Sequence, residues 1–267
     1  MSSAAPDALA VLEDRARIAT RQRERWLDGA ILVVSIAVLW QLGTWLFGPD
    51  VLPSPAATVR QLQREASSPD FLAGLAATGG AFGAALGISV FGGVAIGLAL
   101  GVRRLAGDVM EPVLFALYSI PKIALYPVIL LIFGLGMSAK VAFGAIHGIV
   151  PVVIFTMSAV RNIRPVYMRT AAACRLSPLD AARFVLVPAC VPEIVAGVRL
   201  GFSLTLLGTL VGEMFASQEG IGHRLIVAMN RNETALIMAL ALLLFVFATS
   251  VSLLLLEWEK RLRKDAG

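Results

Sequence analysis

Lys122, Tyr126, His147 and Glu213 are polar groups set in stretches too apolar to solvate them. Lys122 and Tyr126 fall in SIPKIALYP, flanked by Pro121 and Pro127. An ammonium embedded in apolar surroundings costs about 2.5–3.5 kcal/mol on membrane-insertion scales, so Lys122 is expected to face the protein interior or a water-filled path. There it would either meet an anionic solute or serve a structural role. The prolines free backbone carbonyls and kink a helix, as expected where a span lines a cavity. His147 fits a hydrogen-bonded packing residue or a relay, and Glu213 a gate or pathway group. Arg199 lies shallow enough in its apolar stretch to reach a membrane interface, and Glu111, before Pro112, reads as a helix-start residue.

No catalytic set accompanies them. The sequence has no G-x-S-x-G, no H-E-x-x-H, no P-loop lysine pattern and no paired carboxylates within an apolar stretch. Cys174 and Cys190, with only His147 and His223, make no zinc set. The expectation is a chain that is not an enzyme, binds no cofactor or metal of its own, and draws its driving energy from another chain.

The elements that must hold these residues are membrane spans. The 267 residues are 58% hydrophobic and 15% charged, with a mean hydropathy of +0.81, outside the usual range of soluble domains. A helix needs about 20 apolar residues to cross the hydrocarbon core. Six stretches qualify, near 27–47, 76–100, 112–133, 141–160, 194–216 and 235–256. The predicted fold is therefore all-α, with a 1–26 segment, a 27–260 transmembrane region and a 261–267 tail. Alternate connections group five arginines before residue 26 with Arg103, Arg104, Arg161, Arg164, Arg169, Arg175, Arg183, Lys260, Arg261, Arg263 and Lys264. The other side holds Arg60, Arg64, Lys140, Arg224 and Arg231. The positive-inside rule then puts both termini in the cytoplasm. Arg15, Arg17, Arg21, Arg23 and Arg25, mixed with Leu9, Leu12 and Ile18, fit either an amphipathic surface helix or a charged tail. The second span carries two glycine ladders, Gly79, Gly83, Gly87 and Gly93, Gly97, Gly101. Such small-residue faces admit close helix packing, within one subunit or between two.

One cytoplasmic connection, 161–193, is too long to be only a connector. Pro165 can start a helix reaching to about Arg175. Ser177 is a good N-cap, Pro178 suits the first helical position, and Asp180 sets a carboxylate by the positive helix end. The pattern predicts helix, turn, helix, the second helix stopping by Val187 because Pro188 and Pro192 follow. A DNA-reading helix-turn-helix has the same outline. Tethering between spans favours docking of a soluble protein over nucleic acid.

FVLVPACVPEIVAGVRLG, VGEMFASQEGIGHRL, LPSP at 52–55 and IPKIALYPVILLIFGLG resemble the inner-membrane permeases of bacterial ATP-binding-cassette importers, in the group associated with nitrate, sulfonate and taurine. The similarity covers about residues 50–260. It implies alternating access, driven by two ATPase copies that carry ATP and magnesium. A periplasmic binding protein and a second permease copy, making a homodimer in the bacterial inner membrane, complete the implied assembly. It further implies that a short helix of the 161–193 loop fits the ATPase. The loop residues concerned are Arg169, Thr170, Ala171, Arg175, Leu176, Ser177, Pro178, Asp180 and Pro188. Counting back from Pro188, Arg169 stands where the family has Glu, Thr170 and Ala171 at its two Ala, and Arg175 at its Gly. An ion-gradient-driven transporter is the alternative; it would call for intramembrane carboxylates or inverted repeats, and the sequence has no clear repeat.

Overall fold

A computed structural model of the chain describes residues 27–163 and 165–265; the arginine-rich 15–25 segment and Arg164 lie outside them. The chain divides into two compact units, 1–61 and 62–267. In the first, α1 (Leu27–Phe47) ends at Gly48, whose φ of 87° suits glycine. The Trp40 indole donates to the Pro53 carbonyl at 2.9 Å. The unit boundary falls within α2 (Pro55–Ala66).

The regular structure of the second unit's described residues is all helix. It comprises α3 (Pro69–Val102), α4 (Arg104–Ser119), a 3₁₀ turn (Lys122–Leu125), α5 (Tyr126–Phe133), α6 (Met137–Arg161), α7 (Pro165–Ala173), α8 (Pro178–Ala181), a π turn (Ala182–Leu186), α9 (Val187–Ala216), α10 (Ile221–Asn230) and α11 (Thr234–Asp265). α3 starts earlier than its apolar core, because Ser68 Oγ accepts from the Phe71 N–H and Pro69 fits the first turn. α11 continues past residue 260 to Asp265, into the region expected to be the tail.

Among the described residues, five helices are long and apolar enough to cross a membrane. The expected third span is instead a broken pair, Arg104–Ser119 and Lys122–Phe133, bent by 87°. α4 begins well before Pro112 and runs through it. The chain breaks at Ile120, which is extended, because the following Pro121 disfavours helical geometry there and cannot donate to Leu117. Counting the pair as one span gives six.

The core is the contact of α3, α6 and α9, and glycine sets its closeness. A Cβ at Gly93, Gly97 or Gly101 would fall 2.6–2.7 Å from the Cβ of Val152, Thr156 or Val160 on α6. Gly148 of α6 faces Thr205 and Ser89, while Gly197 and Gly201 of α9 face Phe155 and Val152. The backbones therefore approach as small-residue interfaces permit, where lipid supplies no hydrophobic drive. The second glycine ladder is thus internal packing. The first differs: a Cβ on Gly79, Gly83 or Gly87 meets nothing within 4 Å.

Candidate functional site

The 161–193 loop lies at one end of the second unit. α7 stops in a paired hydrogen-bond pattern, with the Leu176 N–H on the Ala171 carbonyl at 3.1 Å and the Arg175 N–H on the Ala172 carbonyl at 3.0 Å. This Schellman closure puts Arg175 in the left-handed region, φ 50°, a position usually filled by glycine. Ser177 then caps α8: its Oγ accepts from the Asp180 N–H at 3.2 Å and donates to the Asp180 carboxylate at 2.6 Å. Arg169, Thr170, Arg175, Leu176 and Ser177 are exposed, whereas Ala171 is buried. The helix-turn-helix is present, with one correction. The second helix does not stop by Val187; a π turn absorbs the transition and the chain passes directly into α9. Pro188 sits in the first turn of α9, directly after the π turn, and Pro192 is carried inside the helix. Val166, Tyr167, Phe184, Pro188 and Leu262 line an apolar hollow of about 560 Å³ beside the loop.

At the opposite end of α6 and α9 is a buried polar cluster. Glu213, fully buried, accepts from Thr78 Oγ1 at 2.8 and 3.0 Å and from the Gly222 N–H at 2.9 Å. Thr78 in turn accepts from the Ile221 N–H at 2.8 Å. Lys140 Nζ lies 3.8 Å from Glu213 Oε1 and donates to the Glu219 carbonyl at 3.1 Å. Gly220, at φ 114°, lies so close that a Cβ would strike the Glu213 carboxylate. A cavity of about 520 Å³ opens beside it, lined by Lys140, Phe215, Ser217, Gln218 and Glu219 among others.

Two of the remaining pathway candidates lie along α6 and α9 near this cluster. Tyr126 is buried, its hydroxyl donating to the Gly212 carbonyl at 3.2 Å and its ring edge-on to Phe143 at 5.1 Å. The His147 ring packs at a tilt of 58° against the same Phe143, centroids 4.6 Å apart, with Nδ1 2.8 Å from the Phe143 carbonyl. Tyr126, His147 and Glu213 therefore share the α6–α9 seam. Lys122 stands apart from them, at the break. Its Nζ donates to the Tyr118 carbonyl at 3.0 Å, freed by the end of α4, and sits 5.4 Å above the Tyr118 ring. Arg199 does not simply extend outward, since it pairs with Glu259 of α11 at 3.3 Å. Glu111 is no helix start; it lies within α4 and binds Arg161.

Lys140, Thr78 and Arg161 were not singled out by sequence reasoning. For Lys140 a signal was present: Lys140, Gly144, His147 and Gly148 repeat at helical spacing on α6, matching Gly201, Thr205, Gly208 and Gly212 on α9.

Residues 89–264 match the family model described as binding-protein-dependent transport system inner membrane component. The chain is 27% identical to a putative aliphatic sulfonates transport permease protein of Bacillus subtilis, covering 82% of this chain and 80% of that protein. It is 32% identical to the riboflavin transport system permease protein of Chloroflexus aurantiacus, covering 83% and 84%. Against the taurine transport system permease protein of Escherichia coli, identity is 26% over 75% of each chain.

Proposed function

The chain belongs to the binding-protein-dependent transport system inner membrane components, the permeases of ABC importers, and from that premise we propose how this member works. It is a multi-pass transport component and not an enzyme. Its 161–193 loop docks a cytoplasmic ATPase, two copies of which carry the ATP and magnesium. Two permease copies form the pathway, the open Gly79–Gly83–Gly87 face of α3 being available for the contact. Both termini are cytoplasmic, and a periplasmic binding protein delivers solute to the cavity beside Lys140 and Glu213. Closure of the ATPases moves the loop and biases the spans between outward- and inward-facing arrangements.

The observation that carries this reading is the loop itself: two capped helical segments, basic and exposed, joined directly to a spanning helix. The solute is a small anion of the sulfonate, nitrate, taurine-like or organic carboxylate class. Lys122, a cation at the break of an otherwise apolar stretch, supports a negative group. The relatives' names span aliphatic sulfonates, taurine and riboflavin, which share no single charge pattern, so finer selection falls to the binding protein.

The test is gentle detergent solubilisation of the tagged chain from its native membrane. Co-purification of a nucleotide-hydrolysing subunit is expected, with uptake that depends on ATP. Uptake that persists without ATP and collapses with the ion gradient would overturn the reading in favour of a secondary transporter.

A further inference from the structure

Arg161, the last residue of α6, reaches across to the first two turns of α4. Its Nη1 donates to Glu111 Oε2 and its Nη2 to Asp108 Oδ1, both at 2.7 Å, and Nη2 also meets the Arg104 carbonyl at 3.0 Å. One guanidinium thus holds three groups of a single helix face, in the fork geometry that only arginine offers. Gly107 makes room for it; a Cβ there would collide with the guanidinium and come within 2.7 Å of the Leu100 carbonyl. The Arg161 side chain is 17% exposed, while Asp108 and Glu111 are 67% and 44% exposed. Pairs so exposed contribute little to stability, so the arrangement fixes position more than it supports the fold.

Position matters here because of what lies at each end. On one side of Arg161 the chain enters the helix-turn-helix loop; on the other, α4 leads to the 87° break, Lys122 and Tyr126. Further along, α4 and α6 meet through the apolar cluster of Leu114, Val153 and Met157, which allows sliding more readily than a three-point polar grip.

We propose that Arg161 is the positioning residue that transmits movement of the loop to the broken span, so that the break at Ile120–Pro121 opens or closes with the state of the ATPase. This rests on the reading that the loop docks an ATPase. When the loop draws on the end of α6, the guanidinium carries α4 with it, and the bend responds.

The experiment uses the whole permease–ATPase complex in proteoliposomes, with Ile123→Cys beside the break as reporter and the exposed Cys174 replaced by Ser. The rate of labelling by a maleimide is measured without nucleotide and after trapping with ATP and vanadate. The original arginine is expected to give a rate that changes on trapping. Arg161→Gln, and independently Gly107→Ala, which leaves every charge in place, are expected to trap nucleotide normally yet lose that change. The swap Arg161→Glu with Glu111→Arg is expected to restore part of it. Labelling that still responds to trapping in Arg161→Gln overturns the inference, as does a reporter that never responds in a complex that traps nucleotide. Failure of any ATPase to bind the unaltered chain would instead remove the docking premise, which separates the two.

Discussion

Lys140 and Glu213 form an ion pair buried on both sides, 3.8 Å apart with side chains 5% and 0% exposed, between the start of α6 and the end of α9. Burying two charges is costly, and removing one partner typically costs about 3–5 kcal/mol because the other is stranded. Lys140→Met, which strands the carboxylate, is therefore expected to destabilise more than Glu213→Gln, whose amide oxygen can still accept from Thr78 and Gly222. Combining the two is expected to recover part of the loss. Thermal unfolding of the detergent-solubilised variants would check the order.

The glycine ladders of α3 separate by position. Gly97→Ala puts a Cβ into Thr156 and the Val153 carbonyl, and overpacking of this kind costs about 1–3 kcal/mol. Gly83→Ala meets open space and gains helix propensity of up to about 1 kcal/mol. The first is expected to lower the melting temperature of the isolated chain and the second to leave it unchanged or raise it. Loss of the two-copy assembly in Gly83→Leu, read by cross-linking, would tie the open face to the second permease.

Arg175 occupies a left-handed backbone position at φ 50°, a conformation that costs a non-glycine residue about 1–2 kcal/mol. Arg175→Gly is expected to stabilise α7 and its turn while keeping ATPase binding. Leu176→Glu, which alters the exposed tip and no backbone bond, is expected to abolish uptake with insertion intact. Uptake and co-purification, measured on the same preparations, would distinguish the two effects.

Lys122→Met removes both the bond to the Tyr118 carbonyl and the positive charge beside the break. A purely structural lysine predicts lower protein yield with an unchanged KM for uptake. A solute contact predicts a raised KM at normal yield, and kinetics against anionic substrates would decide between them.

The spans, their approximate bounds and the capped turn at Ser177–Pro178 could be read from composition and local chemistry, because apolar length and N-cap residues act over a few neighbours. A kink at the prolines of the third span could be read too, but neither its extent of 87° nor the run of helix through Pro188, since whether a proline bends, ends or enters a helix depends on the residues packed around it. Glu213 was visible as a polar residue in an apolar run, but its partners Thr78 and Lys140 lie 135 and 73 residues away in sequence, and only the glycine-mediated approach of α3, α6 and α9 unites them.

The π turn at Ala182–Leu186 joins α8 to α9 without interruption. From Val187 to Ala216, α9 has 30 residues, a rod of about 45 Å at 1.5 Å per residue. Its far turn holds Glu213, and so the clasp around Thr78, Gly222 and Lys140. On a rod of that length a tilt of about 10° displaces the far end by roughly 8 Å, about two to three times the length of the contacts gathered there. A rotation of that size about the loop end, with α3 and α6 held in place, would part Glu213 from Thr78 and Lys140.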